Sequence, residues 1–199
     1  METDVVIVGS GGAGLTAAIT AARAGLEVLV VEKTEYFGGA TALSGGGIWI
    51  PGNSQAAAAG IIDSPAAAKT YIHQLVGDIV RTDLVDAFVD NAGKVVDFMQ
   101  QNSLARFELH HNEPDYYQEL EGAVMDGRLL SPVDYDGRQL GDHLVQLRPP
   151  LKEFNAPAGF MVSFDDLPHL MNMGKSFGST IYVLKLIVRY ALDRLRYPR

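Results

Sequence analysis

The chain has 199 residues, of which 47% are hydrophobic and 20% charged, a balance that demands a packed core and excludes wholesale disorder. It contains no cysteine, which excludes disulfides, thiolate metal sites, iron–sulfur clusters and cysteine nucleophiles. The net charge of −8 is uneven: residues 1–173 carry 10 Lys/Arg against 23 Asp/Glu, and residues 174–199 carry 6 against 1, so the acidic bulk excludes nucleic acid as a partner.

The first residues, Met1 to Asp4, lead straight into an apolar run, so no signal peptide is expected. No stretch reaches the roughly 18 uninterrupted apolar residues of a transmembrane helix. The expected location is cytoplasmic, with contact at the membrane periphery as the lesser reading. Asp4 to Val8 is a β-branched run ending at Gly9 and predicts a buried strand. Ala13 to Ala24 is alanine-rich and free of proline, which predicts a helix, with Gly25 as its stop. Glu27 to Val31 predicts a second strand, parallel to the first and ending in Glu32.

From Gly38 to Gly60 the composition predicts mostly loop. Ser64-Pro65 is an N-cap followed by proline at the first helical position, opening a helix to about Val76. Thr82 is read as the cap of a helix to about Asn102, with Leu84, Val85, Phe88, Val89, Ala92, Val95, Val96 and Met99 on one broad apolar face. A polar, aromatic loop follows from His110 to Glu121, and residues 122–158 show little periodicity. A final helix is predicted from about Ser179 to Tyr197.

Gly9-Ser10-Gly11-Gly12-Ala13-Gly14 fits G-x-G-x-x-G with a strand before it and a helix after it. In that device the first glycine makes the tight turn, the second admits a pyrophosphate to the backbone, and Gly14 lets helix and strand pack closely. The helix N-terminus offers N–H groups and a positive dipole end to phosphates. Glu32 closes the second strand, where a carboxylate accepts from ribose hydroxyls. Both NAD and FAD use this arrangement. The further segments Lys33-Thr34, Gly38-Gly39-Ala40-Thr41 and Ser44-Gly45-Gly46-Gly47 lay more backbone against a ligand, which favours FAD. Trp49 is read as lining the flavin or substrate pocket, or equally as core.

The segments Gly9 to Gly14, Glu32-Lys33, Gly38-Gly39 and Ser44 to Gly52 resemble the N-terminus of the fumarate reductase/succinate dehydrogenase flavoprotein family. Pro114-Asp115-Tyr116-Tyr117, Gly127-Arg128 and Asp136-Gly137-Arg138-Gln139-Leu140-Gly141 are similar to its FAD-dependent 3-ketosteroid Δ1-dehydrogenase branch. The resemblance implies an oxidoreductase that desaturates a cyclic ketone, a 3-ketosteroid or a smaller ring such as a cyclohexanone. A proton leaves the α carbon and a hydride leaves the β carbon for flavin N5. It also implies that Tyr116 assists a base tyrosine by hydrogen bonding, while Tyr117 packs. The family's base and its carbonyl-polarising tyrosine and glycine lie beyond the span matched here.

The expected fold is therefore α/β: a Rossmann-like FAD-binding βαβ unit with a mainly helical extension, incomplete without further polypeptide. Residues 1–62 are the expected FAD-binding segment, and residues 63–199 its helical continuation toward the active site and subunit contacts. The chain is read as one subunit of a split, heteromeric flavoenzyme or as a portion of a longer one. The alternatives are a fumarate-type alkene reductase, which needs a cationic proton donor in place of Tyr116, and a flavin-binding assembly subunit without chemistry.

Other signals carry less. Gly174-Lys175-Ser176 lacks the glycine that a phosphate-binding loop needs five residues earlier, where His169 stands. His110, His111 and His143 lack ligand spacing, so no metal is expected. Ile181, Leu184, Val188, Ala191, Leu192 and Leu195 lie near one face of the last helix, with Lys185, Arg189, Arg194, Arg196 and Arg199 as cations. That helix is read as packing against further polypeptide rather than lying on an anionic membrane.

Overall fold

Strand β1 (Val5–Val8) and strand β2 (Val28–Val31) pair in parallel, Val5 with Val28 through Val8 with Val31, and helix α1 (Gly12–Arg23) connects them. The arrangement follows from the sequence: two short Val/Ile/Leu runs, an alanine-rich helix between them, and Gly25 in the left-handed region (φ +87°) ending it. The structure, a computed structural model, describes residues 2–151, 153, 155, 160–163 and 165–196. The predicted helix end at Tyr197, the cation Arg199 and the starting Met1 lie outside the described residues.

The chain divides into two compact units interleaved along the sequence. One comprises Met1–Ala18, Glu27–Gly45 and Asp134–Arg199, and the other Ile19–Leu26 and Gly46–Val133. Besides β1 and β2, the first unit holds a 3-10 turn at Thr41–Leu43, a kinked 3-10 segment at Gly137–Gln146, and the helices α5 and α6 introduced below.

The second unit is built on helices α3 (Pro65–Val76) and α4 (Thr82–Asn102) and a three-stranded antiparallel sheet. Its strands are β3 (Ile48–Trp49), β4 (Phe107–Leu109) and β5 (Leu129–Pro132), in the order β3-β5-β4. Helix α3 begins as its sequence predicts: Ser64 Oγ accepts from the Ala67 N–H at 3.1 Å, and Pro65 occupies the first turn. Ile50, Ala92, Val96 and Leu130 form the core cluster, with Ile48, Phe107 and Leu109 packed against it.

Several expectations are corrected here. The stretch from Gly38 to Gly60 is mostly loop, as expected, but it also contains the 3-10 turn, β3 and helix α2 (Ser54–Ala58), which were not expected. Two strand residues are too few to show a period, but Asn53 was a legible cap: its side chain accepts from the Ala56 N–H at 2.8 Å. Residues 122–158 contain β5 and the kinked 3-10 segment. Arg81, not Thr82, is the cap of α4, and Thr82 is its first helical residue. The buried face of α4 is narrower than predicted: Val85, Val89, Ala92 and Val96 are buried, whereas Leu84, Phe88 and Val95 stay exposed.

Helix α5 (Asp166–Met171) packs on helix α6 (Phe177–Arg196), which begins two residues before the predicted start. His169 stacks on Tyr182 with ring centroids 4.1 Å apart, and the Tyr182 hydroxyl donates to Asp166 Oδ1 at 2.8 Å. Val183 is buried on that side, whereas Leu184, Val188 and Leu192 remain exposed on another. Among the described residues, no helix is long and apolar enough to cross a membrane.

Candidate functional site

In the first unit the separate glycine clusters of the sequence meet around one turn. Gly9 leaves β1 with φ +100°, and its N–H donates to Val31 O at 2.7 Å, so the turn sits across the ends of both strands. A side chain at Gly14 would place its Cβ 2.0 Å from Gly9 O, which forbids any other residue there without moving α1. The Gly38 N–H donates to Ser10 O at 3.2 Å, and a Cβ on Gly39 would come within 3.0 Å of Gly11 Cα. The Gly12 N–H donates to Thr41 Oγ1 at 3.0 Å. The second cluster thus closes directly over the first.

Glu32 is locked beneath this turn. Buried Ser10 donates to its Oε2 from both the hydroxyl, at 2.6 Å, and the backbone N–H, at 3.0 Å. Those two bonds, the hydroxyl's being the larger influence, hold the carboxyl down at about 2, against an ordinary value of 4.5. Oε1 receives a longer bond, 3.3 Å from the Thr34 N–H. The carboxylate is therefore ionised at any neutral pH, with one oxygen committed to the turn.

Among the other expected cofactor-binding residues, Ala13, Lys33, Ala40 and Gly45 are exposed, and Ser44 Oγ donates to Thr41 O at 2.9 Å to close the 3-10 turn. Gly46 and Gly47 belong to the second unit. Gly46 has φ +80° and lies against Pro132, and Gly47 is exposed.

A distant segment also reaches the turn region. Phe37 pairs with Leu147: the Phe37 N–H donates to Gln146 O at 2.8 Å, and the Arg148 N–H donates to Phe37 O at 2.9 Å. Residues before proline favour extended backbone, so Arg148-Pro149 was a legible hint of this pairing.

Tyr116 lies in the second unit, on a loop clamped on both sides of it. Before it, Asp115 accepts from Arg128 Nη1 at 2.7 Å, from Trp49 Nε1 at 2.7 Å and from the Val124 N–H at 3.0 Å. After it, the Tyr117 N–H donates to the Tyr71 hydroxyl at 3.3 Å. The loop's far end is pinned at Gly122, where a Cβ would lie 2.1 Å from Ala67 O on α3. Tyr116 itself is 95% exposed. A phenol held out from a doubly anchored loop presents its hydroxyl without needing to order the chain first.

The anchor centres on Arg128, 1% exposed. Its Nη2 and Nε donate to Asp63 Oδ1 and Oδ2 at 2.7 and 3.0 Å, and its guanidinium lies 5.2 Å from the Trp49 ring and 5.8 Å from the Tyr71 ring. Trp49 is stacked with Tyr71 and Phe88, so it packs here. Sequence reasoning missed the positions of Asp63, Asp115 and Arg128, although Asp115 and Arg128 stand inside segments it had singled out.

A parallel strand–helix–strand unit with a glycine turn and an ionised carboxylate at the end of the second strand is the arrangement that dinucleotide-binding proteins use. The chain belongs to the family described as FAD binding domain, which it matches over residues 4–192, and FAD is its cofactor. It is 38% identical over 197 residues to the 4-oxocyclohex-2-ene-1-carboxylate 5-dehydrogenase of Sinomonas cyclohexanicum, covering 98% of this chain and 33% of that protein. It is 36% identical over 188 residues to the 3-oxosteroid 1-dehydrogenase of Mycolicibacterium smegmatis, covering 94% of this chain and 33% of that protein. The solved 3-ketosteroid delta1-dehydrogenase of Sterolibacterium denitrificans, in complex with 1,4-androstadiene-3,17-dione, superposes with a TM-score of 0.83 at 36% identity, covering 96% of this chain and 33% of that one. The resemblance to that dehydrogenase branch is thereby confirmed. The chain spans about a third of the length of these relatives.

The residues present fit the cofactor. At Gly9 a Cβ would meet nothing within 4 Å and at Gly11 nothing nearer than 3.9 Å, so the turn's backbone is uncovered there, and Glu32 stands ionised at the strand end.

Proposed function

We propose that this chain is the FAD-binding portion of an oxidoreductase that desaturates a cyclic ketone between its α and β carbons. The observation that carries this reading is the closure of both glycine clusters over Glu32, in a chain similar along nearly its whole length to dehydrogenases of cyclic ketones. Residues 1–62 form the Rossmann-like FAD-binding segment and residues 63–199 its mainly helical continuation. The backbone of residues 9–14 and 38–41, with Ser44 and Gly45, lies along the cofactor, and Glu32, Lys33 and Thr34 hold its ribose end. When bound, FAD would supply the two-electron acceptor for the hydride that leaves the β carbon.

Tyr116 acts on the proton side of the reaction. A phenol base has an ordinary pKa near 10, so α-proton abstraction at neutral pH needs a hydrogen-bond donor to stabilise the phenolate. The Tyr116 hydroxyl donates that bond to a base tyrosine contributed by further polypeptide, together with the groups that polarise the carbonyl. Asp115 and the Tyr71 hydroxyl keep the loop backbone in register for this.

The test is anaerobic flavin reduction by the chain with whatever polypeptide accompanies it, using a 3-ketosteroid and a 4-oxocyclohexanecarboxylate. Bleaching of the flavin's visible band by either ketone, slowed about 100-fold in Tyr116→Phe, supports the reading. A flavin that an activated alkene reoxidises but no ketone reduces overturns it in favour of a reductase. A bound flavin inert to both makes the chain a flavin-carrying assembly subunit.

A further inference from the structure

The side chain of Arg148 carries a charge that nothing on the described chain neutralises. Its backbone is fixed by the pairing with Phe37, and its Nη2 donates to Thr34 Oγ1 at 3.0 Å. The Thr34 N–H in turn donates to Glu32 Oε1 at 3.3 Å, so the guanidinium stands one residue away from the carboxylate locked under the glycine turn. Among the described residues Arg148 makes no ion pair, and its Nε–H is buried with no acceptor.

The second feature runs against the ordinary behaviour of arginine. A buried N–H without an acceptor is destabilising, and native structures retain such a group where something else satisfies it. The partner that meets an unneutralised planar fork best is an anion with several oxygens, carboxylate or phosphate. The adjoining glycine turn is the proposed seat of the cofactor's diphosphate.

We propose that Arg148 is a further cofactor-binding residue, donating to the diphosphate of FAD from the segment strapped onto residues 34–38. This rests on the reading of the glycine turn as the cofactor cradle. It adds a contact from a part of the chain 114 residues beyond Thr34, so the cradle is completed by tertiary pairing and not by the strand–helix–strand unit alone.

The test is equilibrium titration of the chain, with any polypeptide that accompanies it, using ADP and adenosine as probes. In Arg148→Gln the affinity for ADP falls about tenfold or more, while that for adenosine, which lacks the diphosphate, is unchanged. The difference between wild type and variant narrows as salt is added, because a charge contact near the surface is screened. Arg148→Lys, which keeps the charge but loses the planar fork, shows the same pattern with a smaller loss and serves if Arg148→Gln fails to fold. Equal losses for ADP and adenosine mark a structural role and overturn the proposal, as does unchanged ADP binding. A wild-type chain that binds neither ADP nor FAD overturns the cradle reading and this inference with it. A wild-type chain that binds both, beside an unaffected variant, overturns this inference alone.

Discussion

The two compact units of this chain differ in how far they close upon themselves. In the second, Leu130 and Ala68 are wholly buried, Ala56 is 1% exposed, and an arginine sits desolvated among two aspartates and two aromatic rings. In the first, β1, β2 and the first turns of α1 contain no buried residue, and Val6 and Val8 are 53% and 85% exposed. Parallel sheets are ordinarily covered on both faces, so bare valines on a two-stranded parallel pair mark a surface built to be covered. The lesson is a division of labour. The unit that carries Tyr116 supplies its own rigidity, whereas the parallel pair beside the glycine turn is left largely uncovered by the described residues.

The largest test of this contrast is at Arg128. Arg128→Met leaves Asp63 and Asp115 facing each other in a dry site, and the expected loss is about 3–5 kcal/mol of unfolding free energy. Trp49, the single tryptophan, lies against the replaced guanidinium and reports the transition by its fluorescence. A loss below about 1 kcal/mol would mean that the trio is not what holds the Tyr116 loop.

A matched pair of truncations sharpens the comparison. Leu130→Ala should cost about 2–5 kcal/mol, because it empties part of a closed core. Val8→Ala should stay within about 0.5 kcal/mol in the chain alone, by circular dichroism in urea, because its side chain is already in water. Comparable costs at the two sites would break the contrast.

The smallest expected effect is an acid one, confined to the first unit. Glu32 is held at about 2 in the folded chain against 4.5 ordinarily. Its carboxylate therefore stabilises the fold fully above 4.5, and that contribution is lost as pH falls toward 2. Glu32→Gln removes this dependence, so wild type and variant should converge on acidification through that window and run parallel above it. Curves that stay parallel throughout would mean that Ser10 does not hold the carboxylate as described.

Legibility in the sequence followed the range of the interactions involved. The strand–helix–strand unit, the Ser64-Pro65 helix start and the glycine turn were readable, because each is set by neighbours within a few residues: β-branched runs, an alanine-rich helix, a capping side chain, a backbone without Cβ. Strand β3 and its pairing with β5 were not, since two residues carry no period and the partner lies about eighty positions away. The width of α4's apolar face was misjudged for a related reason: the sequence shows which residues are apolar, but only packing selects which are covered.

What the sequence by itself determined is a set of local patterns whose chemistry is in the residue types: the glycine spacing, the acid at the strand end and the aromatic motif. Only the tertiary structure decided what holds them. It set Ser10 under Glu32, Gly39 against Gly11, Phe37 beside Leu147, and Asp115 on an arginine that also grips Asp63. These contacts join residues from 13 to more than 100 positions apart. Their energies come from desolvation and hydrogen bonding, which exist only once the chain has brought the groups together.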